Sequence, residues 1–283
     1  MSGNLNNEGG LQTPSIFMET LFGKSQIQQL LEMPYTTNSH TLSKSVIAAY
    51  YNLLEYESEV TDNHIIVYRR GKVKVLFFPL EFNEEILNPI RIGEKDIIYC
   101  KEKTNITKNK VKEVVYDLEK IFTNPNKQVR RGITLTNRKE IVLRDCTSSE
   151  IVDLYQEWTE HKMNDPKVFR IAFTPKRYLR SFELKEKGFN VIYFGYFING
   201  ELYGALSYEV QGDTAFELAF ISRFWRKDLK LVNDLNECIL TNSFYELFKK
   251  GVKKINVGPT AGIKGLKIFK SKLPSEEVII YTN

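Results

Sequence analysis

The sequence predicts an α/β protein built from two domains of the same topology. Three observations carry this. The order helix, hairpin, third strand, helix, strand occurs once before about Thr136 and again after about Lys139. The chain has 283 residues, enough for one large or two modest domains, and a hydrophobic fraction of 42% supports real cores. Turn signals separate the segments, the strongest being Asn199-Gly200 between two alternating apolar runs. The repetition is one of architecture, with no residue-by-residue repeat. It divides the chain into a polar tail at 1–14, a first domain at 15–136 and a second at 137–283, joined near residues 136 to 141.

In the first half, Ile16, Phe17, Leu21, Phe22, Ile27, Leu30 and Leu31 have the spacing of one or two short amphipathic helices docking on a core. Val46, Ile47, Tyr50, Leu53 and Leu54 mark a helix from Ser43 to Glu57. His64–Arg69 and Lys72–Phe78 flank Arg70-Gly71 as a hairpin. A strand follows near Asp96–Cys100, then a helix over Asn109–Phe122 opened by Thr107 or Asn109, and strands over Gln128–Leu135 and Glu140–Arg144.

The second half repeats the order. Ser148 or Ser149 caps a helix through His161, and Thr174-Pro175 opens another running to Lys187. Strands follow at Asn190–Ile198, Glu201–Val210 and Thr214–Ile221, with Gln211-Gly212-Asp213 as the second turn. A helix spans about Leu231–Phe248 and stops at Gly251. The ending reads as a strand (Lys254–Val257), a Gly-Pro loop, a lysine-rich helix (Ile263–Leu273) and a final strand (Glu277–Tyr281). A strand ending in Asn256-Val257-Gly258-Pro259 ahead of a helix is a way to build a site, since glycine admits a ligand near the backbone and a helix amino end offers N–H groups to anions.

Forty basic and 35 acidic residues leave a formal charge of +5, a balanced surface unlike that of a dedicated DNA-coating protein. The excess gathers at the carboxyl end, in Lys249, Lys250, Lys253, Lys254, Lys264, Lys267, Lys270 and Lys272. Cys100, Cys146 and Cys238 are scattered and odd in number, as are His40, His64 and His161, so no metal site is expected and the thiols read as reduced. No apolar run approaches twenty residues and no secretion signal opens the chain, so no membrane span and a cytoplasmic location are expected.

Pairing the strands around Gln211-Gly212-Asp213, with Val210 facing Thr214, puts Ser207 opposite Glu217 and Glu209 opposite Ala215. One face of the ribbon then carries Ser207, Glu209 and Glu217 among alanines, and Gly195 falls opposite Gly204. Acyl transfer to an amine needs a base, a polarised carbonyl and a proton source. Glu217 is the candidate base or amine-orienting carboxylate, with Glu209 as runner-up and Ser207 beside them. Asn256, Gly258, Gly262, Lys264, Lys267 and Lys270 are candidates for holding the donor. Arg223, Trp225, Arg226, Lys227 and Lys230 mix cations with aromatic rings, either as a nucleic-acid surface or as a packing tryptophan among solvated charges.

The order strand, helix pair, three antiparallel strands, helix, strand, helix, strand over residues 141–282 resembles the acyltransferase domain of the GNAT superfamily. The paired form resembles its tandem-domain branch, which contains the Fem-type aminoacyltransferases, the lysyl-phosphatidylglycerol synthase catalytic domain and proteins of the BioF2-like acetyltransferase type. Their closing helix reads Leu, two residues, Phe-Lys and a further basic residue, which Leu266-Lys267-Ile268-Phe269-Lys270-Ser271-Lys272 resembles. The resemblance implies two GNAT-like domains, each a mixed, mainly antiparallel twisted sheet flanked by helices. The superfamily's glycine-bearing pyrophosphate loop is absent, because Ile221–Lys230 contains no glycine and places Phe224 and Trp225 there.

The expected function is transfer of an acyl or aminoacyl group to a small-molecule or macromolecular amine, with no bound cofactor and with acyl-coenzyme A, an acyl carrier protein or aminoacyl-tRNA as donor. The competing readings are a non-catalytic GNAT-like protein binding nucleic acid or a protein partner, and an acyltransferase acting on a nucleobase amine.

Overall fold

The computed structural model describes residues 24–33, 35–52, 57–60, 66–70, 73–79, 93–163, 176–229, 234–259 and 272–283. The 1–14 tail, the segment from Ile16 to Phe22, Thr174-Pro175 and the lysine-rich stretch at 260–271 lie outside them.

Among the described residues eleven strands form one mixed sheet. In the first half, β1 (Glu57–Val60), β2 (Ile66–Arg70) and β3 (Val73–Phe78) are antiparallel, and β4 (Ile97–Cys100) runs parallel to β3. In the second half, β6 (Ile141–Arg144), β7 (Val191–Ile198), β8 (Glu201–Gln211) and β9 (Thr214–Ser222) are antiparallel, and β10 (Lys254–Pro259) runs parallel to β9. The closing strands, β5 (Asn109–Asp117) of the first half and β11 (Ser275–Thr282) of the second, are exchanged. β5 pairs with β10, β11 pairs with β4, and the two pair with each other along their length.

Helices cover both faces. On one, α3 (Leu118–Thr123), α4 (Lys127–Ile133) and α7 (Leu235–Lys249) pack over a core that includes Tyr116, Tyr208, Phe244 and Ile255. On the other, α1 (Lys24–Glu32) and α2 (Lys44–Asn52) lie over the middle of the sheet, burying Leu30, Ile47, Phe77 and Leu218. Beside them α5 (Ser148–Met163) and α6 (Lys176–Ser181) cover Ala205 and Ile221 with Leu154, Trp158 and Phe182.

Four expectations are corrected. The segment at Asn109–Phe122 is strand β5 followed by α3. Val111, Glu113 and Val115 recur at every second residue, the period of a strand, and the helix begins only where Asp117 accepts from the Lys120 N–H at 3.1 Å. Gln128–Leu135 is helical instead of extended. Asn126 caps α4 by accepting from the Val129 N–H at 2.9 Å, and Val129 and Gly132 turn inward at helical spacing.

The cap of α5 is Thr147, where the sequence reading placed it at Ser148 or Ser149. Glu150 accepts from the Thr147 N–H at 2.8 Å while Thr147 Oγ1 accepts from the Glu150 N–H at 3.3 Å, a capping box.

The hairpin register also differs. Gln211 pairs with Thr214, leaving Gly212-Asp213 as a two-residue turn, because Gly212 at φ 61° supplies the positive φ that a tight hairpin requires. Tyr208 therefore faces Glu217, Glu209 faces Phe216, and an extra residue at Leu218 restores Ser207 opposite Ala219. Across Asn199-Gly200, with φ 51° and 88°, a similar irregularity sets Gly195 against Ala205 and Gly204 against Tyr196.

Candidate active site

The parallel pair β9–β10 is registered at three positions, Lys254 with Thr214, Ile255 with Ala215 and Asn256 with Phe216. Glu217 is the first β9 residue beyond the last of these. Ala215 and Ile255 belong to the core under α7, so alternation turns the Glu217 side chain to that face. Its charge is felt there by the Tyr116 and Tyr208 hydroxyls. Burial pushes both phenols up, and the Glu217 carboxylate adds to the effect, so both keep their protons at neutral pH. Glu217 itself is half-buried.

The edges of the parting strands are held from the other face by the segment before α2. His40 Nε2 donates to the Glu217 carbonyl at 2.7 Å, which fixes the proton on that nitrogen since a carbonyl only accepts. Glu113, fully buried on β5, accepts from the main-chain N–H groups of His40 at 2.7 Å and Thr41 at 2.8 Å, from Ser39 Oγ at 3.1 Å and from Asn256 Nδ2 at 2.9 Å. Asn256 also donates to the Asn38 carbonyl at 2.8 Å and accepts from the Gly258 N–H at 2.9 Å. Gly258 has φ 71°, and a Cβ there would stand 2.8 Å from His40 Nδ1.

A small crevice, with room for about one water molecule, opens on the α7 face, lined by Tyr116, Gln128 of α4, Glu237 and Thr241 of α7, and Lys272 and Leu273 ahead of β11. Tyr116 both lines it and lies within reach of the Glu217 charge. Glu237 is engaged by Lys272 and by Gln128.

Solved structures share this architecture. A conserved protein of unknown function from Bacteroides thetaiotaomicron superposes with a TM-score of 0.67 at 11% identity, covering 93% of this chain and 97% of that one. L-PGS from Bacillus licheniformis gives 0.59 at 11% identity over 92% and 91% of the two chains. FemX gives 0.58 at 9% identity over 91% and 95%. The fold is a tandem GNAT-like fold, shared with FemX and L-PGS. No protein-family model matches the sequence, and no curated protein matches it either.

Within this fold the expected site residues separate into groups. Glu217 stands at the strand parting, and Asn256 and Gly258 stand across it on β10. Asn256 is fully buried and has both amide hydrogens engaged inside the protein, so its visible task is to tie β10 to β5 and the loop before α2. Gly262, Lys264, Lys267 and Lys270 lie outside the described residues.

Ser207 and Glu209 are not brought to Glu217. The one-residue change of register sends them to the opposite face, where α6 and α2 cover them. Ser207 Oγ lies 3.0 Å from Ser181 Oγ. Glu209 accepts from the Ser45 N–H in the first turn of α2 at 3.3 Å and from Gln211 Nε2 at 2.9 Å. Burial pushes the Glu209 carboxyl upward, and these hydrogen bonds offset part of the shift.

The mixed cationic and aromatic segment after β9 is internally paired. Arg223 forms a bidentate bridge to Glu157, at 2.7 and 2.8 Å, and Arg226 pairs with Asp228 at 2.7 Å and Glu201 at 3.1 Å. Trp225 stacks on His161 with centroids 4.0 Å apart. Among the described residues no group of three or more His, Cys, Asp or Glu converges as a metal site, and no helix is long and apolar enough to cross a membrane.

Two residues central to this geometry, His40 and Glu113, escape sequence reasoning. Glu113 alternates in step with Val111 and Val115, so a strand reading of that segment would have placed a carboxylate on an apolar face. His40 carries no local signal beyond its place in a Ser/Thr-rich run ahead of a helix.

Proposed function

We propose that the protein transfers an acyl or aminoacyl group from an activated donor to an amine. The reading rests chiefly on one observation: parallel strands that part at Glu217, with a half-buried carboxylate and the protonated Tyr116 and Tyr208 hydroxyls on one face. The shared fold with FemX and L-PGS supports it. The second half, 137–283, carries the chemistry, and the first half, 15–136, is the partner surface and completes the site through Glu113 and His40.

Glu217 takes the proton from the attacking amine or orients that amine. Tyr116 is the nearby proton-bearing hydroxyl available to the leaving group. Asn256 and Gly258 organise the opposite edge. Ser207 and Glu209, sealed on the other face, serve packing and the α2 amino end. The proposed transfer is direct, from donor to amine, without a covalent enzyme intermediate.

Among donors, aminoacyl-tRNA or a carrier-bound group fits better than free acyl-coenzyme A. The segment after β9 lacks a glycine loop, and its two arginines are committed to Glu157, Asp228 and Glu201. The test is native mass spectrometry and a transfer assay with acyl-coenzyme A compounds, acyl carrier protein and charged tRNAs, on the wild type and E217Q. Transfer that E217Q abolishes without lowering the melting temperature supports the assignment, and unchanged transfer in E217Q removes Glu217 from the mechanism.

A second reading draws on His40, whose ring occupies the strand edge where a donor backbone could pair. It makes the protein a non-catalytic binder of nucleic acid or protein, and it predicts donor or partner retention with no transfer in any variant.

A further inference from the structure

β6 stands at one end of the sheet and pairs only with β7. Ile141 and Leu143 pack against the core under α7, while Val142 and Arg144 stand exposed on the other face, with the Arg144 guanidinium 3.5 Å from the Phe197 ring. Val142 is 50% exposed, against 37–45% for Ile97, Phe224 and Ile279. The outer edge of the strand offers main chain. The Asn199 N–H donates to the Glu140 carbonyl at 3.0 Å, so residues 140, 142 and 144 turn their main-chain groups toward β7, and residues 141 and 143 turn theirs away. The Ile141 N–H is taken by the Arg138 carbonyl at 3.1 Å. The Ile141 carbonyl and the Leu143 N–H remain on an edge that no described strand covers.

A sheet edge is ordinarily guarded against other strands by like charges, proline or a bulge. β1, at the opposite end of the sheet, follows that rule, since two copies paired antiparallel about Ser58 would set Glu57 against Glu59. β6 does not. It has no proline, its pairing with β7 is regular, and its flanks carry both signs, Lys139 and Glu140 before it and Arg144 and Asp145 at its end. Lys139, Glu140 and Asp145 are exposed and form no ion pair with any described residue. Arg144 bridges to Glu150 through two of its five N–H donors and keeps others for a further acceptor.

A second copy turned about a two-fold axis normal to the sheet meets this edge with residues 141 and 143 facing their counterparts, so the register is centred on a residue and not between two. Centring on Ile141 opposes Arg138 to Arg144 and Lys139 to Leu143. Centring on Leu143 opposes Ile141 to Asp145 and Val142 to Arg144. Centring on Val142 opposes Val142 to its own copy, Ile141 to Leu143, Glu140 to Arg144 and Lys139 to Asp145. That register alone sets apolar side chains against apolar ones and each of these charges against its opposite.

We propose that the β6 edge docks a second copy of this chain, antiparallel about Val142, so that the two sheets run on as one. The Leu143 N–H of each copy donates to the partner's Ile141 carbonyl, and Val142 packs on the partner's Val142 at a position without hydrogen bonds, where Cα atoms approach to about 4.5 Å. Glu140 meets the partner's Arg144 on the α5 face, and Lys139 meets the partner's Asp145 on the α7 face. Seven strand spacings of about 4.8 Å separate the two copies of β9, on the order of 34 Å, so each Glu217 stays within its own chain's site. A four-residue edge covers less than the roughly 1,600 Å² of a standard interface, and the dimer therefore dissociates on dilution. The inference stands apart from the transfer reading.

The test is analytical ultracentrifugation of the full chain over a dilution series, for the wild type, K139D, D145K and an equal mixture of those two variants. Both positions are exposed, so the melting temperatures should match the wild type. The wild type should show a reversible monomer–dimer equilibrium. Each single variant sets two like-charged pairs across the two-fold axis and should weaken the dimer by roughly tenfold. The mixture should recover wild-type affinity as a heterodimer, because every altered charge then meets its opposite. Under mild oxidation V142C should form a covalent dimer that the wild type, with Cys100, Cys146 and Cys238, does not. A wild type that stays monomeric at every concentration overturns the proposal. So does a dimer indifferent to K139D and D145K, which would place the contact elsewhere. Weakening in the single variants without recovery in the mixture would reduce the effect to net charge, and a V142C protein that cross-links no more than the wild type would remove the register.

Discussion

His40 Nε2 lies 2.7 Å from the main-chain oxygen of Glu217, and its ring fits because residue 258 has no side chain. The G258A variant tests this. Its methyl group would stand 2.8 Å from His40 Nδ1 on a backbone at φ 71°, so steric overlap and a left-handed alanine act together. A loss of about 2–4 kcal/mol is expected, a fall in melting temperature on the order of 5–10 °C. H40A/G258A should recover part of it, leaving the backbone term, and no recovery would mean that the ring is not the obstacle.

Glu113 gathers donors from two elements, the loop before α2 through Ser39, His40 and Thr41, and strand β10 through Asn256. E113A would leave buried N–H groups of His40, Thr41 and Asn256 without an acceptor, at a cost of about 3–5 kcal/mol. E113Q, which keeps one carbonyl oxygen, should cost less. Chemical denaturation of both measures the difference, and equal midpoints would deny the carboxylate its organising role.

Glu217 lies just past the last β9–β10 pair and is half-buried, so its removal should touch chemistry more than stability. For E217Q we expect turnover to fall by at least a hundredfold, roughly the scale of a lost general base, with the melting temperature within a degree or two of wild type. A matched fall in stability would recast the residue as part of the core.

The Thr147–Glu150 capping box predicts a pH signature. Hydrogen bonds from Arg144 and from the Thr147 N–H pull the Glu150 carboxyl down to about 2. A carboxyl depressed in the folded state adds stability above its unfolded pKa and loses it as the pH falls toward the folded one. The contribution should be complete above about pH 4.5 and fade toward pH 2. E150Q should flatten the melting temperature across that window, and an unaltered slope would assign the acid sensitivity elsewhere.

The exchange of β5 and β11 predicts that neither half stands alone. Expressed separately, residues 1–136 leave β5 without β10 and β11, and residues 137–283 leave β10 without β5. Each piece should show no cooperative melting, and mixing the two should restore it. Independent folding of either would make the exchanged strands dispensable.

The sequence displays the elements of the second half well because its signals are local. Asn199-Gly200 closes a hairpin wherever it stands, and the apolar alternation through Phe194, Leu206 and Phe220 marks strands. The first half misleads where context outweighs propensity. Lys110, Lys112 and Lys120 make residues 109–122 look helical, while β5 is extended because it lies between two partners supplied by residues more than 130 positions away. The site suffered from one residue of hairpin register. A three-residue turn collects Ser207, Glu209 and Glu217 on a single face, and the two-residue turn at Gly212-Asp213 separates them. His40 and Glu113 meet only through that same long-range pairing, which no local pattern announces.

The exchanged strands also govern how the chain can be made. β5 is complete at residue 117, but its partners begin at Lys254 and Ser275. At synthesis rates of roughly 5–20 residues per second, this strand waits on the order of ten seconds with both edges unpaired. During that interval Val111, Val114, Val115 and Tyr116 are exposed to any neighbouring nascent strand. The alternating lysines at 108, 110 and 112 then have a second use, as charges that hold other chains off until the last thirty residues arrive.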